Sequence, residues 1–193
     1  MKFFCAIAIL FCSVTSYANW NTEWFTGVVV LNSSQVVSGS IAIKSDAVMV
    51  KTGLHVDVLP AHRVNAIRYF DTQANVNRKF VVHCDSSANH TRFEILEVVV
   101  SGKLSVLRKP RGDVRPAAEN REAAFHYFVQ TDEGLQSFRS FSRTLLPKLR
   151  TSHLALERYI RQSKIRVHDK ADIIRLVMYY NRCNVPESCN LSE

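Results

Sequence analysis

Residues Trp24 to Asp71 read WFTGVVVLNSSQVVSGSIAIKSDAVMVKTGLHVDVLPAHRVNAIRYFD. Short β-branched runs alternate here with small or polar turns. GVVVLN is followed by SSQ, VVSGSIAI by KSD, and AVMVKT by GLH. Short strands at regular spacing predict an antiparallel sheet. A rolled sheet, a barrel and a sandwich all fit that pattern. Val28 and Val30 oppose Val29 and Leu31, so both sides of the first strand are apolar, as in a central strand covered on both faces. In the second strand Val37, Gly39, Ile41 and Ile43 oppose Ser38, Ser40 and Ala42, the pattern of a half-buried strand. Gly39 marks a bulge or a close backbone approach. Trp24-Phe25 is expected to cover one end of the sheet.

Further strands are expected over Val64–Phe70 and Arg78–Asp85. The clearest hairpin joins Arg92–Val100 to Lys103–Lys109 through Ser101-Gly102. Prolines and a glycine in Lys109-Pro110-Arg111-Gly112-Asp113-Val114-Arg115-Pro116 break regular structure. Residues 109–121 are therefore an exposed loop or linker. Ala123–Thr131 and Leu135–Phe141 form a last hairpin. About nine strands are expected in all, within residues 19–141.

From Ser142 the period changes. Leu145, Leu146 and Leu149 suit a short helix with Pro147 near its start. Leu154, Leu156, Tyr159 and Ile160 suit a second. Asp169 or Lys170 opens a third, with the stripe Ile173, Ile174, Val177 and Tyr180. The reading is α+β: a mainly antiparallel sheet, then a short helical unit over 142–193 docked on it.

Upstream, MKFFCAIAILFCSVTSYA has a basic start, an apolar core and Ser16-x-Ala18. That is the pattern of a secretory signal peptide over residues 1–18, cleaved near Ala18. No later run approaches the roughly 18 apolar residues of a membrane span. The sequence predicts a secreted or periplasmic envelope protein.

The formal net charge is +8. Residues 19–100 carry seven basic and seven acidic side chains, whereas 142–193 carry ten and five. A basic contact surface for an anionic partner is expected on Arg158, Arg161, Lys164, Arg166 and Arg175. A plain solvated helix surface is the competing reading.

Export permits disulfides. Cys183 and Cys189 enclose NVPES and are expected to pair. Cys84 is left over. Strand alternation sets it beside Phe80 and Val82, as a buried free thiol. His83, Cys84, Asp85 and His90 look like metal ligands in a line, but the same alternation sends Cys84 to the face opposite His83 and Asp85. Convergence of His83, Asp85 and His90 around the turn is the alternative, and no metal site or other cofactor is assigned. His55, Asp57 and His62 read as surface polar positions.

There is no G-x-S-x-G, no H-E-x-x-H and no phosphate-binding glycine loop. No catalytic residue is assigned, and an unrecognised hydrolase stays only as a distant alternative. Arg111-Gly112-Asp113 matches an adhesion tripeptide, a pattern short enough to arise by chance. Asn32-Ser33-Ser34, Asn89-His90-Thr91 and Asn190-Leu191-Ser192 match the glycosylation pattern, which matters only in a eukaryotic secretory route. Phe125, Tyr127, Phe128, Phe138 and Phe141 offer a stacking platform, or else pack the last hairpin against the helices.

Several short motifs resemble a family of uncharacterised secreted proteins common in Bacteroidetes-type bacteria. They are Trp24-x-x-Gly27, Gly39-x-Ile41, Ala61-x-x-Val64, Tyr69-Phe70-Asp71, Gly102-Lys103-Leu104-Ser105-Val106-Leu107, Leu145-Leu146-Pro147 and Tyr179-Tyr180-Asn181. The resemblance covers most of the chain after the signal. It implies an exported envelope protein and brings no known activity. The Cys183–Cys189 loop is not part of it. The leading expectation is a non-enzymatic protein that binds another macromolecule through its sheet or its basic tail. The alternative is a binder of polyanions or anionic surfaces.

Overall fold

The computed structural model describes residues 23–87, 90–110, 125–152 and 154–184. The fold is α+β. Ten antiparallel strands form one open sheet, followed by three short helices. The strands are β1 (Phe25–Leu31), β2 (Val36–Ile43), β3 (Ala47–Thr52), β4 (His55–Pro60), β5 (Val64–Asp71), β6 (Val76–Ser87), β7 (His90–Val100), β8 (Ser105–Pro110), β9 (Phe125–Thr131) and β10 (Gly134–Ser137). The sheet order is β10-β9-β8-β7-β6-β5-β1-β2-β3-β4. Every neighbouring pair but one is consecutive in the chain. The exception is β5, which returns to pair with β1, leaving β4 as an edge.

A short 3-10 helix, η1 (Ala61–Arg63), makes that return. It is fastened to the turns it crosses. The Ala61 N–H donates to Asp46 O at 2.8 Å, and the Asn32 N–H donates to Arg63 O at 3.0 Å. The side-chain amide of Asn32 adds a bond to His62 O at 2.7 Å. Ala61 then packs in one cluster with Val29, Ile41, Val48, Val50, Leu59, Val64, Ile67 and Ile95. The N-terminal strands therefore curl, and η1 straps the curl onto β7.

Strand alternation accounts for this core. Val29, Val37, Ile41, Val50 and Ile67 share one face by register. Val64 and Ile67 are three apart, yet both are buried on that face. A register shift between Val30 and Leu31 against β5 makes this possible, because a bulge flips the pattern by one residue. The outer side of β1 is only half-buried, so the expectation of full cover on both faces holds for one side. Gly27 is a place of close approach: a Cβ there would lie 2.3 Å from Arg68 O. The Phe25 and Tyr69 rings stack across it at 4.4 Å. Gly39 is similar, with Lys51 O 2.6 Å from a Cβ position. Trp24 is exposed rather than covering an end of the sheet.

The second core lies on the same face of the sheet, over β8 and β9. Leu104, Val106, Tyr127 and Val129 meet Phe141, Leu145, Leu149, Leu156, Ile160, Ile173, Leu176, Val177 and Tyr180. These come from α1 (Phe141–Ser152), α2 (Leu154–Gln162) and α3 (Lys170–Cys183). The expected docking of the helices is thus present. Leu176 is fully buried and Ile174 only half, so the apolar stripe of α3 is shifted from the one expected. Helix α1 begins at Phe141, which moves Pro147 into its second turn, on the exposed side. Asp169 caps α3 by accepting from the Asp172 N–H at 3.2 Å. At the other end, Asn181 donates to Leu104 O at 2.8 Å and accepts from Leu104 N at 2.9 Å, tying α3 to the turn before β8.

Among the described residues, no helix is long and apolar enough to cross a membrane. Of the loop expected over 109–121, Lys109 and Pro110 belong to β8. Residues 111–124 with Arg111-Gly112-Asp113, the expected signal segment and Cys189 lie outside the described residues.

Candidate functional site

Beyond Val81, β6 has no partner but β7, because β5 stops pairing at Ala66. Strand β8 in turn begins pairing with β7 only at Glu97. Residues 82–87 and 90–96 therefore form a two-stranded arm that pairs with neither neighbour. Val82, Phe93 and Ile95 still pack on the first core, and Leu96 is fully buried. Toward the end of the arm Cys84, Asp85, Ser86, Thr91 and Arg92, which alternate between the two faces, are all exposed. This corrects the reading of Cys84 as a buried thiol. Its side chain is on the apolar side, but the covering layer ends before reaching it. Cys84 is an exposed free thiol 3.5 Å from Ser86 Oγ.

Alongside residues 91–93, in its distal half, the arm faces η1. A cleft of about 480 Å³ opens between them, lined by Ser45, Asp46, Pro60, Ala61, His62, Thr91, Arg92 and Phe93. The strap sets one wall and the arm sets the other. The His62 ring tilts against Phe93 at 5.9 Å. Arg92 reaches Glu94 at 3.4 Å, and Glu94 accepts from Lys109 Nζ at 2.6 Å. The cleft is open and polar, with hydroxyls, an imidazole, a carboxylate and a guanidinium on its rim.

Between the two cores runs a row of charges. Asp71 accepts from the N–H groups of Gln73 (3.1 Å) and Ala74 (3.0 Å) and from Arg78 Nε at 2.7 Å. Arg78 also donates to Glu97 at 2.6 Å, and Arg108 grips Glu97 at 2.7 and 2.9 Å. Arg108 lies 4.3 Å over the Phe125 ring and 3.4 Å from the Tyr127 hydroxyl. The Ala74 N–H, then Arg78, hold the Asp71 carboxyl below its usual range despite burial. Burial pushes Tyr69 up to about 12. Each carboxylate in the row is held by an arginine. The row braces four strands, β5 to β8, where neither core reaches. Sequence reading missed it because its members are 7, 19 and 11 residues apart. Register brings Arg78, Glu97 and Arg108 to one face.

The other sequence-selected residues fall as follows. His55 and Asp57 are exposed on β4, with Nε2 3.0 Å from the carboxylate. His83 and Asp85 lie on the outer side of the arm, away from Cys84, and the side chain of His90 is outside the described set. Among the described residues no three His, Cys, Asp or Glu side chains gather as metal ligands. Arg161 pairs with Glu157 at 3.3 Å, Arg166 with Asp169 and Asp172, and Arg175 with Asp172. Arg158 and Lys164 are exposed. Three of the five expected contact cations thus have acidic neighbours in the same chain. Asp172 is nearly buried and accepts from Arg175 and from the Arg166 N–H, which together lower its pKa to about 2. Cys183 is exposed at the end of α3, and its expected partner Cys189 lies outside the described residues. Tyr127, Phe138 and Phe141 pack in the second core, so the aromatic cluster is the packing of the last hairpin against the helices.

Comparison with protein-family models, with curated proteins and with solved structures returned no match.

Proposed function

We propose that the protein is exported and binds a macromolecular partner of the cell envelope through the arm and the cleft beneath it. The observation that carries this reading is the arm itself. Two strands extend past both neighbours, and a polar cleft lies beside residues 91–93 of their distal half. Beyond Val82 and Phe93, which pack on the first core, the ribbon gains little stability from its length. Its exposed backbone and side chains are suited to recognition. The start of the chain supports export, and the resemblance to secreted envelope proteins points the same way. Pairing of Cys183 with Cys189 belongs to this reading, since an oxidising compartment would close that short loop.

Replacing residues 85–92 by Asn-Gly closes the arm at the Cys84–Phe93 pair with a favoured hairpin turn. Thermal melting should change little. Capture of a partner from envelope extract should be lost, while charge reversal at Arg158 and Lys164 leaves it intact. Capture that survives trimming and instead falls steeply with added salt would move the assignment to a polyanion binder using the helical surface. Mass spectrometry of the exported protein should find Asn19 at its N-terminus, and an intact Met1 would count against export.

A further inference from the structure

The two edges of the sheet are finished differently. The β10 edge has only four residues. Helix α1 guards it, with Thr144 bonded to Gln136 at 3.0 Å and Lys148 bonded to Glu133 at 2.7 Å beside it. The β4 edge has six residues, and among the described residues nothing pairs with its outer side. Leu54, Val56 and Val58 are all exposed there. No lysine or arginine interrupts the strand, and its proline is the last residue. Edges left this way pair with other strands.

The strand is also complementary to itself. Its turn is two residues, Gly53-Leu54, between the paired Thr52 and His55. Such a turn makes the flanking pair a hydrogen-bonded one. His55, Asp57 and Leu59 therefore bond to β3, and Val56 and Val58 turn their N–H and C=O groups outward. An antiparallel copy centred on Val56 sets Val56 against Val56, Leu54 against Val58, and His55 against Asp57. The outward backbone groups meet, the apolar side chains share one side, and each imidazole faces a carboxylate on the other. Shifting the centre to Asp57 would oppose two carboxylates, which is unfavourable. The surrounding region suits the contact too. The protein is basic overall, but residues 19–100 have equal numbers of basic and acidic side chains. Two copies meeting at β4 join through their neutral halves, with their basic helical ends at the far side of the sheet.

We propose that the protein self-associates as a two-fold dimer through β4, paired antiparallel about Val56, making one continuous sheet from two. The contact is short, so the dimer belongs to the weak, concentration-dependent class. Sedimentation velocity from micromolar to millimolar protein reads it directly. Val56→Lys, which places two ammonium groups on the axis, should weaken association at least about tenfold. Val36→Lys, at another exposed valine, should leave it unchanged. Asp57→His and His55→Asp should each weaken it about threefold or more by opposing like groups. The double swap His55→Asp/Asp57→His should restore it. Circular dichroism melts confirm that each variant is folded. A monomer throughout the range overturns the proposal. So does a dimer indifferent to Val56→Lys, or one that the double swap fails to restore.

Discussion

Val29, Ile41, Val50 and Ile67 are enclosed by the sheet's own curl and by the η1 strap. Val106, Tyr127 and Val129, on the same face of the same sheet, are enclosed by three helices. The difference follows from what each segment has to hand. The first five strands include a long-range return, which pulls the sheet over itself. The later strands form a plain meander, and a meander has no means of covering its own face. The helices supply that cover. The row Asp71, Arg78, Glu97 and Arg108 stands where the two covers meet. Side chains there keep roughly a tenth to a fifth of their surface in water, and charged groups are tolerable only because each is paired.

Removing the helices tests the contrast most severely. A chain ending at Ser140 leaves the apolar side of β8 and β9 in water and should aggregate or lose its cooperative melt. Hydrogen exchange should still find slow amides in β1 and β2, and fast ones in β8 and β9. Equal protection in both places would show that the helices are not what covers the second core.

Next in size come the core truncations. Ile67→Ala and Leu176→Ala each empty a fully buried position in one core. Each should cost about 2–5 kcal/mol. Because one sheet carries both cores, calorimetry should show a single transition lowered by either change. Two transitions, each sensitive to one variant, would divide the molecule where we see continuity.

Glu97→Ala should cost about 2 kcal/mol, since Arg78 keeps Asp71 but Arg108 loses its carboxylate. A chemical-denaturation midpoint unchanged by this substitution would mean that the row does not brace the sheet.

The smallest effect is in acid. The Asp172 pKa is lowered in the folded protein to about 2. Its contribution is complete above the ordinary carboxylate range and is lost as pH falls toward about 2. Asp172→Asn should lower stability at neutral pH and flatten the acid side of a melting-temperature profile. An unaltered profile would assign the acid sensitivity elsewhere, Asp71 being the first candidate.

Strand existence and face were readable from residues such as Val29, Ile41 and Val50, because a period of two is local information. So was the change of period at the helices. What escaped were features that depend on register between distant segments. The return of β5 to β1 leaves no local mark beyond the Pro60 turn. Cys84 shows the same limit, since alternation told its side but not how far the neighbouring strands extend. The helix start at Phe141 was obscured because Phe138 and Phe141 continue an apolar pattern that suits a strand as well. Pairing of Arg166 with Asp172 depends on the geometry of the loop before α3, which spacing alone does not specify, whereas Arg175 pairs with Asp172 at an ordinary helical i,i+3 spacing.

Asn181 bonds both backbone groups of Leu104, which is 77 residues earlier, and its amide sits where a side chain on Gly102 would be. In that contact the side-chain amide does the work of one more strand. It has a consequence for the order of folding. The meander can form from neighbouring segments as the chain emerges, at little loop-closure cost. The last helix has no partner for Asn181 until the turn before β8 is in place. The C-terminal core is therefore the late-closing part of the molecule, latched by one amide near the end of the described chain.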